Sequence, residues 1–210
     1  MRSLFAIALV TAAIAAPQLC AAEERFAPLR SDQLGPEQKA WAESIAAPPR
    51  NAKFTNPPYR AYIRSPKLAP RLQALSDFVR WESSLPARMS EFAILIAARQ
   101  WTQQYEWAAH YPLALKGGLD PSVPADLAVG KRPEKMKDDE AVLYDLAMQI
   151  YRDKNVTDPV YAAAVDKLGE QGVMEAIAVM GYYDLVSMTL ITARAVPRDT
   201  GAPILQPLPK

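Results

Sequence analysis

With 210 residues, one cysteine, one histidine and a formal charge of +1, the chain is not basic enough to indicate a nucleic-acid partner and too poor in cysteine for a disulfide scaffold. Hydrophobic residues make up 50% of it, enough for a core without covalent staples, since a domain near this size buries roughly 70% of the surface its unfolded chain exposes.

Residues 1–22 read as a secretory signal peptide. Arg2 precedes Leu4 to Ala16, which is apolar apart from Thr11 and shorter than the ~20 residues a membrane-spanning helix needs. Small residues at Cys20-Ala21-Ala22 then precede Glu23-Glu24, so cleavage is expected after Ala22. The alternative is an uncleaved membrane anchor. Cleavage would release a periplasmic or secreted chain without a membrane span. Cys20 would leave with the signal, and with it any disulfide, thiol nucleophile or cysteine metal site.

Residues 23–66 read as an N-terminal extension and a Pro-rich loop. Glu23 to Leu34 is a polar, extended lead-in. Pro36 opens a short helix to Ala46, with Trp41 and Ile45 four apart on one face. Five prolines between Ala47 and Pro66 argue for a long irregular loop. Asn56, Tyr59, Arg60, Tyr62 and Arg64 suit a loop anchored over the domain.

Residues 67–195 read as one helical domain. Leu68, Leu72, Leu75, Phe78 and Val79 recur at three and four across a helix from Leu68 to Ser83. Pro86 suits the start of a second helix ending near Trp101. Thr102 is the expected cap of a third, running to Lys116 and stopped by Gly117-Gly118, with a kink near Ala108 caused by Pro112. Pro121 to Val129 is a short helix and Gly130 to Lys137 a charged connector. Asp138 to Arg152 is helical, with Val142, Leu146, Met148, Gln149 and Ile150 inward. Thr157 or Asp158 caps a helix that stops at Gly169. Val173 to Arg194 is apolar nearly all round, which predicts a buried central helix or a subunit interface. Residues 196–210 form a Pro-rich tail. No strand alternation appears, so the predicted fold is all-α.

Gln103, Glu106 and His110 advance by three and four and share a helix face, with Trp107 beside them. If the helices fold back at Trp101–Thr102, Glu91 and His110 stand within about 5 Å of the same level, given a rise of ~1.5 Å per residue. A carboxylate facing an imidazole orients it, raises its pKa and exchanges protons with it, a minimal kit for acid–base catalysis. Glu106 and His110 are also four apart, as metal ligands are. Without a second histidine no metal site is expected.

The segment Glu91-Phe-Ala-Ile-Leu, with Tyr105-Glu106-Trp107-Ala-Ala-His110 and Ala114-x-x-Gly117, resembles the carboxymuconolactone decarboxylase family. Looser matches fall at Leu168-Gly169-Glu170, Glu175 and Gly181-Tyr182-Tyr183. The resemblance spans roughly Asn56 to Leu190. It implies a single-domain helical bundle of the alkylhydroperoxidase D-like type that assembles as a trimer or hexamer. The peroxidase pattern of that superfamily is Glu, eleven residues, Cys, two residues, Cys, three residues, His. Glu91 and His110 fall at its ends, but Gln103 and Glu106 stand at the cysteine places, and neither supplies a thiolate. The resemblance therefore implies the cysteine-free, decarboxylase-like branch. Its chemistry is acid–base work on a small carboxylated or lactone substrate, with no cofactor.

On that reading His110 transfers the proton, and Glu91 orients it or acts as a second acid–base group. Glu106 is a further candidate, with an exposed helix charge as its plainer reading. Arg60, Arg64 or Arg80 would hold a substrate carboxylate, and Tyr105, Trp107, Gln103 and Asn56 would line the pocket. The plainer reading of Trp107 and Tyr105 is packing, and of the arginines surface charge. The alternative function is a non-catalytic, exported small-molecule-binding or oligomeric scaffold protein of the same fold.

Overall fold

Helix α4 (Ala87–Gln100) is buried on nearly every side, with Phe92 through Arg99 shielded from solvent without interruption. The computed structural model describes residues 23–208. The signal-peptide reading of 1–22 lies outside them, as do 209–210. Around α4 pack α5 (Gln104–Lys116), α6 (Ser122–Ala128), α7 (Asp138–Met148) and α8 (Asp158–Ala193). Before them come α1 (Pro36–Ala46), α2 (Tyr59–Tyr62) and α3 (Ala69–Asp77). The described residues hold no strand, and the fold is all-α.

The central helix is thus α4 and not the late apolar segment. A run of apolar and small residues from Phe92 to Ala98 lets neighbours approach α4 from all directions. Helix α8 buries Val173, Ala176, Val179, Met180, Val186 and Leu190 but leaves Met174, Ile177, Met188 and Ile191 exposed. It is long and apolar enough to cross a membrane by composition, yet half of its most apolar stretch is buried inside the fold. Gly169 divides it, with φ at +71°. A left-handed φ is accessible to glycine at little cost, so the chain turns there and the two legs, 158–168 and 170–193, take different directions.

Residues 23–66 belong to the same core. Leu34, Trp41, Ile45, Tyr62 and Ile63 join one apolar cluster with α3, α4, α5 and Leu205. The expected irregular loop contains one helical turn, α2, and is anchored by Arg60, which pairs with Glu24. Of the apolar residues expected inward on α3 and its extension, only Leu72 and Val79 are buried, while Leu68, Leu75 and Phe78 are exposed. The extension, Phe78–Glu82, is a π-helical turn, as is Gln149–Asp153 after α7. On α7 the inward residues are Leu143, Tyr144, Leu146 and Ala147. Val142, Met148, Gln149 and Ile150 are only half-buried, and the last two already belong to the π-helical turn.

Two features of α5 differ from expectation. Its cap is Gln103 and not Thr102: Gln103 Oε1 accepts from the Tyr105 amide at 2.9 Å, and Thr102 sits at φ +48° and accepts from Arg99. Pro112 does not interrupt the helix, which continues to Lys116. Proline cannot donate to the carbonyl four residues earlier. That carbonyl, on Ala108, instead accepts from the Thr200 hydroxyl at 2.9 Å. At the end of α5, Gly117 permits close packing. A Cβ there would stand 3.1 Å from the Arg88 amide nitrogen at the start of α4.

The tail is held against the domain. Gln104 receives the Leu205 amide and donates to the Pro203 carbonyl, and the Gln206 amide donates to Ala128.

Candidate active site

The α4–α5 hairpin brings three ionisable side chains into one line. His110 Nδ1 lies 2.6 Å from Glu91 Oε2, and its Nε2 lies 2.9 Å from Glu106 Oε1. Glu106 and His110 share a face of α5, four apart, and Glu91 reaches across from α4. All three are largely withdrawn from water, with side-chain exposures of 13%, 5% and 7% for Glu91, Glu106 and His110. Tyr183 of α8 closes the imidazole edge-on, with ring centroids 5.0 Å apart, and meets Tyr182 edge-on in turn.

Burial alone would pull the His110 pKa down. The charges of Glu91 and Glu106, and their hydrogen bonds, outweigh it and push the value up to about 9. His110 is therefore an imidazolium at neutral pH, donating from both nitrogens. Burial also pushes the Tyr183 hydroxyl well above its ordinary range, so Tyr183 is a neutral wall of the site.

A cavity of about 350 Å³ opens beside this line. Glu106 and His110 face it together with Asn56, Tyr105, Arg80, Arg198 and Thr200. Glu91 does not line it and lies behind the imidazole. Arg80 extends from the π-helical turn after α3, over the Trp81 ring at 5.0 Å. Arg198 comes from the tail. Among the described residues neither arginine makes an ion pair. Tyr105 donates its hydroxyl to the Pro57 carbonyl at 3.2 Å and so ties the Pro-rich loop to the rim.

Asn56 and Tyr105 thus line the cavity, and Arg60, Gln103 and Trp107 do not. Arg60 is buried against Glu24. Arg64 donates to the Ala27 and Arg60 carbonyls. Gln103 is occupied as the cap of α5, and Trp107 is wholly enclosed in the core. Arg198 and Thr200 were not identifiable from sequence, because nothing in a Pro-rich tail shows where it returns. No group of three or more His, Cys, Asp or Glu side chains among the described residues is arranged to hold a metal.

No known protein family and no curated protein matches the chain in sequence. Solved structures do match its fold. An uncharacterized peroxidase-related protein from Silicibacter aligns with a TM-score of 0.64 at 14% identity, over 82% of this chain and 91% of that one. A protein of unknown function from Agrobacterium tumefaciens, suggested to be the antioxidant defence protein alkylhydroperoxidase D, aligns with a TM-score of 0.53 at 13% identity, over 64% of this chain and 93% of that one. At such identities the likeness is one of fold: the chain has an alkylhydroperoxidase D-like helical fold.

Proposed function

We propose that this protein is an acid–base catalyst acting on a small carboxylated or lactone substrate, by decarboxylation or a related lyase or isomerase step. The observation that carries the reading is the His110 ring held between the Glu91 and Glu106 carboxylates at the edge of a cavity with two arginines that form no ion pair among the described residues. Arg80 and Arg198 supply positive charge for a substrate carboxylate, each able to bind it through two parallel N–H groups. Glu106 and His110 supply a proton acceptor and a proton donor on the cavity wall. Glu91 fixes the ring and keeps it charged. In decarboxylation of an unsaturated lactone acid, the electron pair of the breaking C–C bond moves into the conjugated carbonyl. The carbon then takes a proton relayed from Nε2 through Glu106.

Both structural neighbours carry names from peroxide metabolism. The only cysteine of this chain is Cys20, and by the family resemblance of the Glu91–His110 segment Gln103 and Glu106 fall where that chemistry has its thiols. Thiol-based peroxide reduction is therefore not the reading the site supports.

The test is CO₂ release, with ultraviolet detection of lactone conversion, from carboxymuconolactone and a panel of related unsaturated lactone acids. Turnover abolished by His110→Gln and Glu106→Gln supports the assignment. Full turnover in either variant would overturn it. Binding of these acids without conversion would favour the non-catalytic reading of the same cavity.

We further infer a homo-oligomer, a trimer or hexamer. Leu68 and Met188 share an apolar groove of about 330 Å³ between α8 and the start of α3. Met188 and Ile191, 46% and 48% exposed, continue it along α8, and a patch of this kind commonly packs against another copy.

A further inference from the structure

We propose a second ligand site, at the C-terminal end of α4, that binds a small organic phosphate. A cavity of about 570 Å³ lies between the end of α4, the Gly130–Arg132 connector and the last turns of α7. Its walls carry four cations, Arg99, Lys131, Arg132 and Arg152, against one carboxylate, Asp145.

Arg99 makes this a built site and not a chance cluster. It is 1% exposed. Its Nε donates to the Leu127 carbonyl at 2.9 Å, and one terminal nitrogen donates to Thr102 Oγ1 at 3.2 Å. The other, Nη2, is buried without a partner. A buried charged donor left unpaired costs free energy, and no carboxylate among the described residues pairs with this guanidinium. Gly130 lies beside it, its Cα hydrogen pointing between the two walls: a Cβ there would sit 3.4 Å from Nη2 and 3.5 Å from Leu208 Cδ2.

The other cations divide by role. Arg132 is engaged, bonded to both oxygens of Asp145 and resting over the Tyr144 ring at 5.2 Å. Lys131 and Arg152 are exposed and form no ion pair among the described residues. Three positive groups thus remain unneutralised around one cavity. That surplus suits a dianion better than a single carboxylate, and arginine forks match phosphate oxygens in pairs. Tyr144, Met148, Leu127 and Leu208 supply an apolar wall for the organic part of the ligand.

Calorimetric titration of the whole protein at low ionic strength tests this, with phenyl phosphate, inorganic phosphate and benzoate as probes. Phenyl phosphate is expected to bind more tightly than inorganic phosphate, and benzoate at least about tenfold more weakly than phenyl phosphate. The surface double variant Lys131→Ala/Arg152→Ala is expected to lose about tenfold or more in phenyl phosphate affinity, as befits two charge-assisted contacts. Arg80→Ala/Arg198→Ala should leave that affinity unchanged. Absence of phenyl phosphate binding at millimolar concentration would overturn the proposal. So would binding sensitive to Arg80 and Arg198 but not to Lys131 and Arg152. Equal affinity for benzoate would overturn the assignment to phosphate.

Discussion

His110 Nε2 and Glu106 Oε1 lie 2.9 Å apart, one helical turn from each other on α5, and both face the cavity. Glu91 completes the line from behind, at 2.6 Å from Nδ1. The two carboxylates therefore have different work: one meets a bound molecule and the other only the imidazole. Glu106→Gln is expected to lower kcat by about 10²–10⁴, the usual contribution of a positioned acid–base group. Glu91→Gln should lower it less and also shift the pH profile, because the imidazolium loses its rear counter-charge. Steady-state kinetics of the two variants across pH checks both expectations. Equal effects with an unmoved profile would contradict the division.

The His110 pKa is raised in the folded state from 6.5 to about 9. A raised value means that the folded protein holds the proton more tightly than the unfolded chain. The stabilisation is full below about pH 6.5 and is lost as pH rises to about 9. Burial opposes the charged ring, while Glu91 and Glu106 favour it and prevail. The loss should be on the order of 3 kcal/mol at most. Urea unfolding at steps from pH 6 to pH 10 measures it, and the slope should be absent in His110→Gln.

Thr200→Val should destabilise the fold by about 1 kcal/mol, since it strands the buried Ala108 carbonyl. In a Pro112→Ala background the restored amide can satisfy that carbonyl, and the same change should then cost much less. A double-mutant cycle by chemical denaturation reads the difference.

Arg88 at the start of α4 pairs with Asp139 and Glu140 at the start of α7, and Glu140 is almost fully buried. Glu140→Ala leaves the guanidinium half-compensated and removes the acceptor for the Lys137 amide. A loss of about 3 kcal/mol is expected, visible as a lowered Tm. Activity at the distant cavity should persist below that Tm.

Met188→Asp/Ile191→Asp should convert the proposed oligomer to monomer, as judged by light scattering on a sizing column. A wild-type protein that elutes as a monomer would remove the reason for the apolar face proposed as an interface.

Much of this arrangement can be read from local spacing. Glu106 and His110 are a turn apart on one helix, and Glu91 meets them because the hairpin turn sits between. Gly117-Gly118 stops α5, and the prolines at 36 and 86 open helices, for reasons local to each position. What could not be read depends on distant partners. Pro112 is tolerated because Thr200, 88 positions later by simple numbering, takes over the orphaned carbonyl. Arg60 is taken up by Glu24, 36 positions earlier in the chain, whereas Arg80 and Arg198 form no ion pair among the described residues. The apolar composition of α8 pointed to the centre of the fold, but only packing could show that α4 occupies it.

The tail segment that carries Arg198 and Thr200 is a wall of the cavity beside His110. An affinity tag or fusion partner joined just after this segment would sit beside the mouth of the proposed site. Purification design and kinetics are therefore linked in this protein.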